Sequence, residues 1–340
     1  MLKGDYYVKE NIKRILEEGE YDVNPRPHYE DGTPAHTISV NHVFNTYKTD
    51  EGEFPLTTLR PLATKGSIGE MLWIYRDADN NVYNLETKYN VRWWRDWVIN
   101  KCHYNKNGVL MLGENPYIKD NYYYDISGHK LDLGEKSDTV DPVTDKDDEN
   151  ILDSKSGNVL TRDANIGSTY GKIIKRNDIF NNLINGIKSN PDSRRHVMNM
   201  WQYDDLREPK GLPPCAYETI WNVRKSGYLD MMLTQRSSDY MTAGSINPTQ
   251  YVALLYMVAK EVNLKPGRFS WVVANMQIYD RHLESAKEIL KREPVECSPS
   301  ISISDDVSLK YMMPEDVEIK DYPKTLIKKK NPQMHFDIGI

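Results

Sequence analysis

The sequence predicts an α+β fold, and three observations support it. Residues 217–223 and 228–235 are strand-like runs on either side of a Lys-Ser-Gly turn at 225–227, which favours a β-hairpin. Residues 270–274 add another strand-like run, with helical patterns before and after it. Because strands and helices mix without strict βαβ alternation, we expect one mixed β-sheet flanked by helices.

In the first half of the chain, apolar spacing predicts helices over residues 7–18 and 68–75. The second of these runs is strongly apolar and carries one acid, Glu70. A turn-rich stretch at 24–34 leads into residues 36–43, which alternate like a strand. Glu70 is therefore expected on a helix that is mostly buried.

The second half predicts three further helices. Residues 179–187 have helical apolar spacing, and residues 280–291 form an amphipathic pattern. The run 248–262 is mostly apolar and has Pro248 near its start, where a helix tolerates proline. These three runs are the helices expected to flank the strands of this half.

Between residues 102 and 165 the character of the sequence changes. Tyrosines crowd at 122–124, and acids and turn formers dominate residues 133–150. Such a composition is typical of a solvated segment. We expect a single domain over residues 1–340, with an insertion or small subdomain at about 102–165.

Composition limits the classes of function. The 340 residues are 39% hydrophobic, and 44 basic against 50 acidic residues give a formal net charge of −6. This balance argues against a general nucleic-acid surface, so no DNA partner is expected. The three cysteines, Cys102, Cys215 and Cys297, are far apart, which predicts neither a disulfide framework nor a metal site. With no apolar leader or membrane-spanning run, we expect a cytoplasmic location and no membrane partner.

Cys215 is the first candidate for chemistry. It follows Pro213 and Pro214 directly and precedes a strand-like run, so its backbone is held at a rigid corner. A rigid corner suits a thiol that must meet a substrate in one orientation. A small buried hydrophobe is the competing interpretation, and local sequence alone favours it.

Other polar residues have equally balanced interpretations. Arg236 beside Ser237 suits phosphate binding, since a guanidinium binds two oxygens at once, but an ion pair with Asp239 is as probable a role. The pair Arg194 and Arg195 is typical of a solvated basic turn.

Four other candidate residues can also be interpreted as either structural or functional. Asn247 precedes Pro248 and fits a helix N-cap, and Glu70 fits a partly exposed helix acid. Trp94 and Trp97 are more often core residues than a ligand platform. Each signal is weak on its own, and the order of the motifs is the stronger observation.

In the order of its motifs, the chain resembles the thymidylate synthase family over most of its length. The resemblance rests on seven stretches, quoted in one-letter code: EMLW at 70–73, YG at 170–171, DSRR at 192–195, LPPC at 212–215, QRSSD at 235–239, IN at 246–247 and IYDRH at 278–282. Family members vary in length where residues 102–165 lie. The resemblance implies a thymidylate synthase-like fold and a homodimer packed through its sheets.

The resemblance also implies a reaction. Cys215 matches the nucleophile that attacks C6 of the pyrimidine in dUMP, and thiolate is the reactive form of cysteine. C5 then attacks the one-carbon unit of 5,10-methylenetetrahydrofolate, and a hydride from the same folate completes the methyl group of dTMP. The implied enzyme is a methyltransferase with folate as co-substrate and no metal.

Roles carry over residue by residue. The resemblance assigns catalysis to Cys215, Glu70, Arg236, Asn247 and Tyr170. It assigns substrate binding to Arg26, Arg194, Arg195, Arg236, Ser237, Asp239, Asn247, Gln277 and Tyr279, with Arg194 and Arg195 reaching the partner subunit's phosphate. It assigns the folate site to Glu70, Trp94, Trp97, Asp239 and the closing tail that ends at Ile340.

The sequence departs from the family pattern at several positions. Ala216 and Gln277 stand where histidines are common, and residues 241–246 differ from the usual loop before Asn247. A dUMP hydroxymethylase of the same fold, in which water attacks the methylene intermediate, is the alternative reaction. A non-catalytic or RNA-binding relative is a third hypothesis, which Cys215 and Glu70 argue against.

Overall fold

The computed structural model describes residues 1–104, 110–113, 117–119, 122–124, 143–144, 150–153 and 156–339. The chain divides into two compact units. The first contains residues 1–76, 174–201 and 214–340, and the second contains residues 77–173 and 202–213. The expected insertion at 102–165 falls inside the second unit, while the organisation as a single domain stays a prediction.

In the described part of the chain, the α-helices are α1 (Lys3–Glu18), α2 (Thr64–Met71), α3 (Val82–Tyr89), α4 (Gly171–Arg176), α5 (Ile179–Ser189), α6 (Tyr203–Arg207), α7 (Ile246–Glu261), α8 (Leu283–Lys291) and α9 (Lys324–Lys330). A π-helical turn, Leu72–Arg76, continues α2. Among the described residues, no helix is long and apolar enough to cross a membrane.

The strands of the described residues are β1 (Glu20–Tyr21), β2 (Thr37–Lys48), β3 (Cys102–Tyr104), β4 (Leu110–Leu112), β5 (Tyr117–Lys119), β6 (Tyr122–Tyr124), β7 (Val143–Thr144), β8 (Ile151–Leu152), β9 (Val159–Leu160), β10 (Val197–Asn199), β11 (Ala216–Val223), β12 (Tyr228–Gln235), β13 (Ser238–Asp239), β14 (Lys265–Tyr279), β15 (Ser300–Ile303) and β16 (Val317–Lys320).

A mixed sheet forms the centre of the first unit. Its strand order is β1-β2-β14-β12-β11-β10, with β13 also paired to β14. The predicted hairpin is confirmed, since β11 and β12 pair antiparallel, whereas β12 and β14 pair parallel. The prediction of an α+β fold with a mixed sheet is therefore confirmed.

One face of this sheet is buried because apolar residues alternate along each strand. Trp221, Leu233, Trp271 and Val273 are each at most 1% exposed. Helix α7 packs against β14 and β12 and also against α2. This buried helix is mostly apolar, as its sequence predicted.

The sheet is interrupted where the candidate phosphate residues lie. Gln235 pairs with Val273 and Ser238 pairs with Met276, so β12 and β13 keep one register along β14. The two residues between them, Arg236 and Ser237, leave the ladder. This local break projects both side chains from the end of a rigid strand.

Several elements differ in extent from what their sequence patterns indicated. Strand β14 runs through 265–279 and not only 270–274, because its flanking residues complete a long antiparallel ladder with β2. The expected 280–291 helix is a 3₁₀ turn, Asp280–His282, followed by α8. The first helix begins earlier than residue 7, where Gly4 allows it to lie directly against the backbone of Leu56.

The second unit contains short antiparallel strands in the order β4-β3-β9-β8-β7, and a hairpin of β5 and β6. Its helix α3 carries the buried Glu86, whose carboxylate pairs with Arg95 and Arg92 at 2.5 and 3.4 Å. These ion pairs attach the tryptophan-rich segment to α3. Most of the acidic stretch 133–150 lies outside the described residues.

Candidate active site

Cys215 lies immediately before β11, at the end of the strand that pairs with β12. The backbone N–H of Arg236 donates to the Cys215 carbonyl at 2.9 Å, and the Arg236 Nε donates to the Pro214 carbonyl at 3.0 Å. Two bonds from one arginine thus hold the corner. The corner that the prolines predicted is therefore held at two successive carbonyls, those of Pro214 and Cys215.

The thiol and the guanidinium meet directly. Arg236 Nη2 lies 3.3 Å from Cys215 Sγ, within reach of a charge-assisted contact. Burial raises the pKa of the Cys215 thiol above its ordinary value, and the positive charge of Arg236 opposes that rise. Burial is the larger effect, so the thiol rather than the thiolate prevails at neutral pH in this state.

Other groups border the same strand end. The guanidinium of Arg236 also lies 5.8 Å from the ring centre of Trp201, and Ser237 is half-buried beside it. Arg26 is exposed on the loop before β2. Burial and the charge of Asp239 raise the pKa of Tyr279, Arg26 opposes this rise, and Cys215 adds to it. Arg26 and Cys215 are therefore electrostatic neighbours of one tyrosine.

A chain of side-chain hydrogen bonds crosses the unit next to this corner. The Trp271 Nε1–H donates to Gln235 Oε1 at 2.9 Å, and Gln235 Nε2 donates to Asn247 Oδ1 at 3.0 Å. Asn247 Nδ2 donates to Gln250 Oε1 at 3.0 Å, and Gln250 Nε2 donates to Glu70 Oε2 at 2.6 Å. The structure thereby joins two predicted site residues, Asn247 and Glu70, through one glutamine.

Asp239 and Tyr279 lie on neighbouring strands and flank His282. The nearest carboxylate oxygen of Asp239 is 3.9 Å from His282 Nδ1, and the Tyr279 ring centre is 5.7 Å from that of His282. Burial raises the pKa of Asp239, and His282 opposes the shift. Burial also raises the pKa of Tyr279 to about 12, so Tyr279 keeps its hydroxyl proton to donate.

The C-terminal tail lies against these same residues. The Phe336 ring is 5.1 Å from that of His282 and 5.0 Å from the guanidinium of Arg60. The Asp337 backbone carbonyl is 2.8 Å from His282 Nε2, and a Cβ on Gly339 would lie 2.8 Å from the Tyr279 ring. The tail is thus packed on the wall that carries Asp239 and Tyr279.

The two positions at which histidines are common in the family also have defined places. Ala216 is 5% exposed and opens β11 opposite Gln235. Gln277 is half-buried in β14, where its carbonyl accepts from the Tyr240 N–H at 2.8 Å and its register partner is Asp239. Gln277 therefore lies one strand from Asp239 and two residues from Tyr279.

The second unit brings three predicted residues together. The Trp94 ring centre is 5.7 Å from that of Trp97 and 5.3 Å from that of Tyr170, both edge to face. Tyr170 has a positive φ of 41°, an uncommon backbone conformation for a residue with a side chain. Gly171 follows it with no room for a Cβ against the backbone of Asp79.

Arg194 and Arg195 lie in the exposed turn between α5 and β10. The Arg195 N–H donates to the Ser193 hydroxyl at 3.2 Å, which shapes the turn. Both side chains point to solvent in this single chain. Ile340, the last predicted residue, lies outside the described residues.

The sequence patterns missed two residues that border the site, Arg60 and Gln250. His282 lies in the quoted stretch 278–282 and Phe336 lies in the closing tail, but neither was given a role of its own. Gln250 follows Asn247 by three residues on one helix, a spacing that indicates a shared face. Arg60 is 4% exposed, and its Nη2 lies 3.5 Å from the Thr242 carbonyl. A single charge between Leu59 and Pro61, after the uncharged run 54–59, was the available signal for Arg60.

In the described part of the chain, no group of three or more His, Cys, Asp or Glu side chains is arranged to hold a metal ion. The polar side chains of the candidate site are the guanidinium of Arg236 at the thiol, the amides of Gln235, Asn247 and Gln250, the carboxylates of Glu70 and Asp239, and the phenol of Tyr279. Such a set suits an anionic substrate with a hydrogen-bonding ring.

Comparison with known proteins gives one consistent family. The family model described as thymidylate synthase matches residues 6–333. The thymidylate synthases of Streptococcus thermophilus and Streptococcus pneumoniae are each 36% identical over 345 residues, covering all of both chains. A solved structure, thermostable thymidylate synthase A from Bacillus subtilis, covers 99% of each chain with a TM-score of 0.68 and 24% identity, which shows a shared fold.

These matches identify an enzyme of the methyltransferase class. More narrowly, the chain belongs to the thymidylate synthase family, since the family model covers nearly its whole length and full-length relatives exceed a third in identity.

Proposed function

We propose that this chain catalyses the reductive methylation of dUMP to dTMP, with 5,10-methylenetetrahydrofolate as carbon donor and reductant. The observation that carries the proposal is the contact of Cys215 Sγ with Arg236 at the rigid end of β12. The relatives named thymidylate synthase support methylation, and the hydroxymethylase alternative has no observation in its favour.

Cys215 acts as the nucleophile. Its thiol must lose a proton before adding to C6 of the pyrimidine, and Arg236 at 3.3 Å stabilises the resulting thiolate. The same guanidinium, with Ser237 and the exposed Arg26, binds the phosphate. One arginine thus couples substrate charge to thiol activation.

Asn247 reads the uracil edge. Its Oδ1 accepts from N3–H and its Nδ2 donates to O4, the pairing that this edge requires. Glu70 is buried at 6% exposure and assists proton transfers near O4. Tyr279, whose raised pKa keeps it protonated, and Gln277 bind the sugar hydroxyl.

Each unit by itself carries residues suited to folate. In the first unit, Asp239 lies beside Tyr279 and His282, and Phe336 and Gly339 of the tail pack against these two residues and limit the access of water. Trp94, Trp97 and Tyr170 form an aromatic cluster of the second unit, and such rings suit a flat pteridine. Water exclusion favours hydride transfer over attack by water.

A homodimer completes the proposal. The sheet face opposite the helices carries Phe44, 60% exposed, whose cross-strand neighbour is Val272 and next in line is Thr234. An apolar ring in the middle of an exposed sheet face suits a second copy of the same sheet. The exposed Arg194 and Arg195 then serve the phosphate of the partner chain.

The test mixes the protein with dUMP and 5,10-methylenetetrahydrofolate. Dihydrofolate absorbance is followed, and the nucleotide product is identified by mass spectrometry. Methylation gives dTMP and dihydrofolate in equal amounts. Hydroxymethyl-dUMP with tetrahydrofolate would overturn the proposal in favour of the hydroxymethylase, and no nucleotide product would overturn both.

A further inference from the structure

The hydrogen-bond chain from Trp271 to Glu70 runs in a single direction. Each amide in it turns its oxygen toward the indole and its nitrogen toward the carboxylate. Three amides lie in series, at Gln235, Asn247 and Gln250. A side-chain amide can be turned end for end, so something must select this direction.

The two ends of the chain make that selection. An indole N–H can only donate, and an ionised carboxylate can only accept. Gln235 therefore presents Oε1 to Trp271 and Nε2 to Asn247. Gln250 presents Nε2 to Glu70 and Oε1 to Asn247. Asn247 is left with one arrangement that satisfies both glutamines.

Burial makes the selection strict. Trp271 is 1% exposed, Gln235 and Gln250 are each 2% exposed, and Glu70 is 6% exposed. A turned amide would bring donor against donor and acceptor against acceptor. With the flanking side chains this buried, solvent has little access to compensate the mismatch.

The direction of the Asn247 amide has a chemical meaning for a pyrimidine. In the observed direction it can accept from uracil N3–H and donate to uracil O4. In the turned direction it would donate to cytosine N3 and accept from the cytosine amino group. The same side chain could thus read either base, depending on its neighbours.

We propose that Gln250 is a positioning residue that, together with Gln235, sets base specificity by fixing the direction of the Asn247 amide. Gln250 does so through Glu70, and Gln235 does so through Trp271 and the Ser237 carbonyl. This inference rests on the proposed function, because it takes a uracil nucleotide as the ligand. Helix α7 supplies both Asn247 and Gln250, three residues apart on one face, and α2 packs against it with Glu70. Glu70 therefore acts on the base indirectly, through Gln250 and Asn247.

The test measures the dissociation constants of dUMP and dCMP by calorimetry, without folate and without turnover. Gln250→Met keeps the length of the side chain and removes both of its hydrogen bonds. We expect the preference for dUMP over dCMP to fall about ten-fold or more, with dUMP weaker and dCMP tighter. Thr249→Val is the matched control, since it removes a buried hydroxyl one residue away that bonds the Ser245 carbonyl at 2.9 Å.

A second background separates positioning from general damage. In Asn247→Asp there is no amide to turn, so adding Gln250→Met should leave the base preference unchanged. If circular dichroism shows that Gln250→Met does not fold, Gln235→Met breaks the chain on the other side of Asn247 and should cause the same loss.

Two results would overturn the inference. Equal weakening of dUMP and dCMP, or an unchanged ratio in a folded variant, would show that Gln250 does not set the direction of Asn247. Failure of the unmodified protein to bind dUMP would contradict the proposed function and this inference with it.

Discussion

At the scale of single residues, the reactivity of Cys215 is set by two opposed effects. Burial favours the neutral thiol, whereas the guanidinium 3.3 Å away favours the thiolate. The raised pKa means that the neutral thiol is the main form of Cys215 at neutral pH.

This balance predicts the pH dependence of thiol alkylation. In a Cys102→Ser/Cys297→Ser background, the rate of Cys215 reaction with iodoacetamide should rise with pH and level off only above about pH 9, because thiolate forms as pH rises through the raised pKa. Arg236→Gln should move the curve to still higher pH. A plateau below about pH 8 would contradict the dominance of burial.

We expect the side chain at position 247 to decide the preference for dUMP over dCMP. Asn247→Asp removes the donor for uracil O4, and a carboxyl beside the cytosine amino group can accept from it. The ratio of kcat/KM for dUMP over that for dCMP should therefore fall by about 100-fold or more. An unchanged ratio would mean that Asn247 only supports the start of α7.

At the scale of elements, local patterns predicted what local forces decide. The hairpin of β11 and β12 and the apolar α7 were predicted because turn chemistry and periodicity specify them. The full length of β14 could not be predicted, since its ends are held by pairing with the distant β2. Long-range pairing leaves no mark on the strand itself.

In the candidate site, too, the sequence indicated some residues, while contacts between distant segments could be seen only in the folded chain. Order of motifs indicated Cys215, Arg236 and Asn247, but only the folded chain shows that Gln250 joins Asn247 to Glu70. The two partners are 180 residues apart in sequence. Arg60 was missed for the same reason, because its neighbours Met241 and Phe336 come from distant segments.

The tail yields a prediction at this scale. Phe336→Ala should raise the KM for 5,10-methylenetetrahydrofolate about three- to ten-fold, because it removes ring contacts to His282 and Arg60, while the dissociation constant of dUMP stays the same. Steady-state kinetics and calorimetry measure the two quantities. The exposed Gln333→Ala is the control, and an equal effect on dUMP would show that the tail supports the whole site.

At the scale of the whole molecule, the dimer proposal predicts complementation. A Cys215→Ala subunit is mixed with an Arg194→Ala/Arg195→Ala subunit, each inactive alone, and the two are allowed to exchange. One heterodimer site would carry both lesions, and the other would combine an intact thiol with the partner's intact arginines. Activity should approach a quarter of the unmodified level, given random exchange into two sites. No recovery, with exchange confirmed by native mass spectrometry, would show that each site is built from one chain.

The central claim, that Cys215 is the nucleophile of a thymidylate synthase, is tested most directly by serine substitution of each cysteine. Dihydrofolate release is measured with dUMP and 5,10-methylenetetrahydrofolate, and dUMP binding is measured in parallel. Cys215→Ser should bind dUMP and lose turnover by a factor of about 1,000 or more, since a hydroxyl is a far weaker nucleophile near neutral pH. Cys102→Ser and Cys297→Ser should keep most of their activity. Substantial turnover in Cys215→Ser, with binding intact, would contradict the account.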